Sequence, residues 1–412
     1  MSLSRRALFA GGNSSSANFA QLVAARGREA LVAELGPFGG ESGLIPRPQQ
    51  GEVRLTSNEN PLGPPPPAMA AIRDGFTGAG RYPSNVQPSM SDLTSACAER
   101  LGCAPANIVL GAGSGELLKR VAQAYVSPSR HLVTASPTYL QTSGVARYLG
   151  ADVQAIPLTE AGMLDLDAMA DAARGAGLVF LCNPNNPTGT VHSAADVSAF
   201  VSTVRRTSPD TVIHVDEAYH EYVTDPNYES MAEAAAETPN VFVSRTFSKL
   251  FGMAGMRIGY GVASGATIEK LQSLALTMNI SVPSVSGAYT ALQDPAYEPR
   301  EKRRNTEARS YTIGVFNDLG YDVFDSNTNF IFANISDWVP PVADRADPPP
   351  EDRGRGRGSS GSKAAAFRSA CSEHGVRIGR DFPPMNQTHA RISIGTMDEM
   401  QRAAEVFQEV LA

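Results

Sequence analysis

The sequence predicts an α/β fold organised around a doubly wound sheet, and three observations carry that prediction. Short apolar runs such as Ile108-Val109-Leu110, Leu178-Val179-Phe180-Leu181-Cys182 and Val212-Ile213-His214-Val215 read as buried strands. Segments with helical periodicity separate them, the alternation that a doubly wound sheet requires. The runs end in loops of glycine, asparagine and small polar residues, and in open parallel sheets ligands bind at the carboxyl ends of strands.

Taken in order, Ile108–Leu110 leads into Gly111-Ala112-Gly113-Ser114-Gly115-Glu116. A helix follows, with Leu117, Leu118, Val121, Ala122 and Tyr125 on one face. The strand ending at Cys182 delivers Asn183-Pro184-Asn185-Asn186-Pro187-Thr188-Gly189. Ser193 with Asp196, and Thr396 with Glu399, have the spacing of capping boxes and so predict helix starts. Val212–Val215 delivers Asp216-Glu217-Ala218-Tyr219. Glu298 to Arg309 reads as a charged helix with a solvated face. Phe330-Ile331-Phe332 and the alternating Arg391-Ile392-Ser393-Ile394 read as strands. Met400, Ala403, Ala404, Phe407 and Leu411 form a helical stripe for packing a smaller domain.

Lys249 is the most informative residue. It follows Val241-Phe242-Val243 in the run Thr246-Phe247-Ser248-Lys249-Leu250-Phe251-Gly252, with Arg257 eight places on. An amine that attacks a carbonyl must be neutral, hence positioned and partly desolvated. The neighbouring hydroxyls and the downstream arginine suit a phosphate held close by. A lone lysine here would read as a surface residue at a strand end.

Ser57-Asn58-Glu59-Asn60-Pro61-Leu62-Gly63-Pro64, Arg81-Tyr82-Pro83, Ser136-Pro137-Thr138-Tyr139, Asn186-Pro187-Thr188-Gly189, Asp216–Tyr219, the Lys249 run and Ala390–Thr396 stand in one order. In these motifs the chain resembles the pyridoxal-phosphate-dependent aminotransferases of fold type I, class I/II, near their histidinol-phosphate branch. The resemblance covers roughly residues 50 to 412. It implies a large domain with a mostly parallel seven-stranded sheet flanked by helices, over 77–290. It also implies a smaller α+β domain from 49–76 and 291–412. The implied activity moves an amino group between an amino acid, or a histidinol-phosphate-like amine, and a 2-oxo acid. The mechanism would be ping-pong, through an imine on Lys249.

The resemblance also assigns roles. Asp216 pairs with the cofactor's pyridine nitrogen, and as a buried carboxylate it favours the pyridinium. Read alone, it is a helix cap after a strand. Asn186 and Tyr219 match the partners of the phenolic oxygen; the plain alternatives are turn chemistry and a core aromatic. Tyr139 matches the ring-stacking aromatic, or is a packed loop tyrosine. Ser114 and Gly115 at the helix start, with Thr246, Ser248 and Arg257, match the phosphate cup. Many relatives have an aspartate where Gly115 stands, which leaves only backbone contacts there. Tyr82 matches a tyrosine that reaches the phosphate across a homodimer interface. Arg391 matches the arginine that binds the substrate carboxylate, for which a guanidinium fork is suited, or is an outward-facing strand residue. Asn60 and Arg380 are further substrate-binding candidates. Lyases, decarboxylases, cyclases and oxidases share the same lysine and aspartate, and an idle binding protein could keep the fold. The intact Arg391 match favours transamination.

A net charge of −7 argues against general nucleic-acid binding. Cys97, Cys103, Cys182 and Cys371 lack metal-ligand spacing and read as reduced thiols, so no metal is expected. No run approaches a membrane span. Residues 1–48 form an extension in which Ser4-Arg5-Arg6 resembles a twin-arginine export motif, but the following Gly11–Asn18 is small and polar where a signal is apolar. A cytoplasmic product is the reading favoured over an exported one. Finally, 340–362 is rich in proline, arginine and glycine, cannot bury a core, and is expected as a flexible surface insertion.

Overall fold

The computed structural model describes residues 51–340 and 361–412. The amino-terminal extension, with its arginine pair, and almost all of the 340–362 insertion lie outside the described residues. Among the described residues no helix is long and apolar enough to cross a membrane, and no His/Cys/Asp/Glu group could hold a metal ion.

Residues Glu52–Ala412 form one compact unit built on two sheet systems. After β1 (Val53–Leu55), the main sheet takes β2 (Ile108–Gly111), β3 (Leu132–Ser136), β4 (Val153–Pro157), β5 (Leu178–Cys182), β6 (Val212–Asp216), β7 (Val241–Thr246) and β8 (Gly259–Ala263). Their spatial order is β2-β8-β7-β6-β5-β3-β4, a seven-stranded sheet in which only the two pairings of β8 are antiparallel. That is the expected mostly parallel sheet. Its inner strands are covered on both faces, while the edge strand β4 is only partly buried. Val179, Leu181, Ile213, Val215, Val241 and Val243 enter one core, while Phe180, Val212 and Phe242 enter another with Leu117, Leu118 and Val121 of the helix Ser114–Tyr125. Burial on both sides explains why these strands show no apolar–polar alternation.

β9 (Phe330–Asn334), β10 (Val376–Ile378) and β11 (His389–Ser393) complete two small sheets, β1 with β10 parallel and β9 with β11 antiparallel. They share a separate core with Phe316, Phe367 and Phe407 from three helices. The last of these, Met397–Leu411, starts at the Thr396–Glu399 capping box and buries the expected stripe of Met400, Ala403, Ala404, Phe407 and Leu411. The Ser193–Asp196 box likewise opens the helix Ala194–Thr207. The helix Pro66–Gly75, which sequence grouped with the smaller domain, buries Ala68 and Ile72 in the main sheet's core.

The charged helix has its solvated face, with Arg300, Arg303 and Glu307 exposed, and a second, buried face that the sequence did not show. The charged stretch Glu298–Arg309 lies in the helix Tyr297–Asp318, but Glu301, Asn305 and Arg309 are buried. Their polar ends are used: Asn305 Nδ2 and Arg309 Nη1 donate to Thr328 O at 3.0 and 2.8 Å, and Arg304 Nη1 donates to Gly395 O at 2.8 Å. The helix clamps two loops by their carbonyls. Apolar periodicity cannot register an interface satisfied by hydrogen bonds.

Candidate active site

β4 lies outside β3 and β5 on its other side, so the strand order reverses between β3 and β5 and opens a crevice at their carboxyl ends. The loops leaving the two strands are tied together there. Thr138 Oγ1 donates to Asn185 Oδ1 at 2.7 Å, and Asn185 Nδ2 donates to Pro137 O at 3.3 Å. The turns after β6 and β7 open beside them, which brings Tyr139, Asn186, Asp216, Tyr219 and Lys249 to one end of the sheet.

Asp216 ends β6 and is buried. Ser244, its register partner on β7, donates to Asp216 Oδ1 at 2.7 Å. Burial pushes the carboxyl up to about 6, against the Ser244 bond, with Glu217 adding to the rise and Lys249 opposing it. Glu217 faces the other way, as strand alternation requires, and pairs with Arg245 at 3.0 Å. Lys249 Nζ donates to the carbonyls of Ser57 and Asn58, each at 3.1 Å, and sits 5.6 Å from the centre of the Tyr219 ring. Burial, with Arg391 second, pushes the Lys249 amine down to about 8. A buried acid and a depressed amine therefore act on one another inside the crevice.

A polar ring surrounds them. Tyr219 Oη accepts from Asn58 Nδ2 at 3.0 Å and Asn186 Nδ2 at 3.2 Å, which leaves its own proton free to donate. Asn186 Oδ1 accepts from Arg391 Nη1 at 2.9 Å, and Arg391 Nη2 donates to Thr56 O at 2.8 Å. Ser393, two places along β11, donates to Asn58 Oδ1 at 2.8 Å and closes the ring. Arg391 is buried, no acidic partner for it occurs among the described residues, and its Nε has no hydrogen-bond partner. Burial holds it down to about 10. Its guanidinium carbon lies 4.7 Å from the centre of the Phe382 ring, and that of Arg380 lies 4.3 Å from the same ring.

The third feature lies where the helix Ser114–Tyr125 begins. Gly113, its N-cap, has φ of 79° and no capping side chain, so the first N–H groups stay open. A Cβ on Gly113 would meet Arg257 Nη2 at 2.4 Å. Arg257 itself is left-handed at φ 54°, a conformation that an arginine keeps only when its surroundings impose it. Its Nη1 donates to Ala254 O at 2.8 Å and lies 3.5 Å from Ser248 Oγ, which accepts from Thr246 Oγ1 at 2.9 Å. Gly115, Ser114, Thr246, Ser248 and Arg257 thus form one polar pocket.

Sequence reasoning missed two residues here. Asn58 lay inside a quoted motif, yet Asn60 was singled out instead. Asn60's amide is taken up by Leu250 O, Tyr297 Oη and Leu62 N, while Asn58, left-handed at φ 53°, reaches Tyr219. Gln141 had no motif to mark it. Its Nε2 donates to Gly115 O at 2.5 Å and its Oε1 accepts from Tyr139 Oη at 3.2 Å, so it occupies the space beside Gly115 that a side chain there would need. Tyr82 is 67% exposed, away from the crevice contacts just described.

This chain matches the sequence model for aminotransferase class I and II over residues 50–407. It is 36% identical over 285 residues to the histidinol-phosphate aminotransferase of Moorella thermoacetica, covering 69% of this chain and 72% of that one. With the enzyme of the same name from Symbiobacterium thermophilum it shares 32% identity over 361 residues, 87% and 90% of the two chains. The crystal structure of histidinol-phosphate aminotransferase from Sinorhizobium meliloti in complex with pyridoxal-5'-phosphate superposes with a TM-score of 0.73 at 28% identity, covering 92% and 96%. The chain belongs to the class I and II aminotransferases. Its cofactor is pyridoxal phosphate, and its substrates are small amino and keto compounds.

Proposed function

We propose that the crevice transfers an amino group from a small amine that carries an anionic group to a 2-oxo acid, in two half-reactions at one site. Histidinol phosphate, the compound in the relatives' names, is the first amino donor to try. The observation that carries this reading is Arg391: a buried guanidinium with no carboxylate partner among the described residues and with Nε unpaired, adjoining Lys249 and Asn186. A buried cation is costly unless something anionic completes it.

The residues fit pyridoxal phosphate. The open helix start, the Gly113 cradle under Arg257, and the hydroxyls of Thr246 and Ser248 suit a phosphate dianion. Asp216 suits the ring nitrogen, Asn186 and Tyr219 the phenolic oxygen, and Tyr139 the ring face. When bound, the cofactor supplies an aldehyde carbon that exchanges amines and a ring that takes up electrons from the substrate's Cα. Lys249, its amine pushed down to about 8 by burial, is the group positioned to take the proton from Cα as a base and give it back as an acid. Asp216 holds a proton at the ring nitrogen. Tyr219 donates its free proton to the neighbouring oxygen, and Arg391 orients the substrate through its carboxylate. Arg380, which packs on the same Phe382 ring as Arg391, serves the substrate's distal end. The exposed Tyr82 completes the phosphate site of a partner copy, and a monomer in analytical ultracentrifugation would exclude that role.

Incubating the enzyme with histidinol phosphate and a panel of amino acids, each with 2-oxoglutarate, tests the reaction. Stoichiometric glutamate formation with at least one donor is expected; none from any donor would refute transamination. Gly113→Ala tests the phosphate pocket separately. It strains a position at φ 79° and ψ 159°, a region that essentially only glycine adopts, by about 1–3 kcal/mol and displaces Arg257. Fluorescence titration should then give a cofactor affinity weaker by about tenfold or more, the loss of about one hydrogen bond to a charged group.

A further inference from the structure

Resting on the reading of Asp216 as the partner of the ring nitrogen, we propose that His214 and Ser244 are positioning residues. They form a directional hydrogen-bond relay that keeps Asp216 ionised and so keeps the ring nitrogen protonated. His214 sits two residues before Asp216 on β6 and therefore on the same face. Its register partners are Phe180 and Phe242, whose rings flank it at 5.3 and 4.9 Å between centroids. It is fully buried. Its Nε2 lies 2.8 Å from Ser244 Oγ, and Nδ1 has no hydrogen-bond partner.

Proton accounting sets the direction. A serine hydroxyl has one hydrogen, and Ser244 spends it on Asp216 Oδ1. His214 must then donate from Nε2 to Ser244, so its unpartnered Nδ1 is a bare lone pair. If Asp216 were protonated towards Ser244, the serine would turn to His214 and drive the imidazole proton onto Nδ1. That would leave an N–H donor stranded between two phenylalanines, and buried unpaired N–H groups are rare because they are costly. The relay therefore resists a proton on Oδ1, and the Ser244 bond itself lowers the carboxyl that burial raises. His214 stays neutral throughout, since burial pushes it down to about 3. The ionisable groups that act on Asp216 from the surrounding elements are Lys249, Cys182 and Tyr139, with Glu217 next in the chain but turned to the other side. None of them supplies the directed proton that Ser244 does.

The test is nuclear magnetic resonance on the holoenzyme. In the wild type, His214 should be a neutral Nε2–H tautomer. An Nδ1–H tautomer or an imidazolium would overturn the relay with no variant needed. With the cofactor labelled at its ring nitrogen, the wild-type signal should be that of a protonated pyridine up to about pH 9. In Ser244→Ala and His214→Phe the nitrogen should lose its proton at least about one pH unit lower, while Ser244→Thr, which keeps the hydroxyl, should restore the wild-type titration. Asp216→Asn separates the two claims. If it leaves the ring nitrogen unchanged, the assignment of Asp216 itself falls. If it deprotonates the ring and the two relay variants do not, only the relay falls.

Discussion

Lys249→Ala is expected to abolish transamination and, at the same time, to make the cofactor-free protein more stable at neutral pH. Loss of a positioned acid–base group alone costs up to about 10⁴-fold, and Lys249 is also the proposed covalent anchor, so turnover should fall by more than that. The stability gain follows from burial. The amine is pushed from 10.5 down to about 8, so the folded state disfavours its charge. Between those values the unfolded chain binds the proton and the folded chain does not, so stability rises with pH through that window and is lowest below about 8. The depression corresponds to roughly 3 kcal/mol. The two hydrogen bonds to Ser57 O and Asn58 O that alanine gives up return about 1 kcal/mol each. The net gain should be about 1 kcal/mol at pH 7. It should reverse to a loss of about 2 kcal/mol above about pH 11, where the lysine is largely neutral in both states and only its hydrogen bonds count. Thermal unfolding at both pH values, beside a coupled activity assay, checks it. Residual normal turnover would sink the catalytic assignment, and an equal effect at the two pH values would sink the electrostatic one.

That residue shows what the chain makes legible. Lys249, Asp216, Asn186, Tyr219 and Arg257 could be read because each follows a buried strand or a glycine turn, and local sequence determines such places. The two-sided strands and the capping boxes were legible for the same reason. What escaped was contact between distant segments. Asn58 meets Tyr219 across 161 positions, and nothing local distinguishes it from Asn60. Gln141 acquires meaning only once Gly115 is known to lie against it. The charged helix Tyr297–Asp318 looked solvated because its buried partners are backbone carbonyls, which have no side-chain signature. His214 had a signal that was passed over: a lone polar residue inside an otherwise apolar strand must find a partner, and it found Ser244.

Arg391→Lys separates anion recognition from the rest of the site. The guanidinium spends Nη1 on Asn186 and Nη2 on Thr56, keeping Nε for a third group. An ammonium of similar charge cannot span those two acceptors and still present a planar pair of donors to a carboxylate. Two hydrogen bonds to a charged group, at about 1.5–3 kcal/mol each, are weakened rather than removed. The expected fall in kcat/KM is therefore about 10²–10³-fold for amino-acid donors. Cofactor affinity should change by less than about tenfold, because Asp216 and the Arg257 pocket are untouched. If affinity instead falls as steeply as kcat/KM, Arg391 acts by holding Asn186 in place and is not the anion receptor. The donor makes a second contrast. A phosphate-bearing amine without an α-carboxylate should lose as much as an amino acid only if Arg391 reads the anion in both half-reactions. If it loses less, the phosphate is held elsewhere, and Arg380, which packs on the same Phe382 ring, is a cation placed to supply that contact.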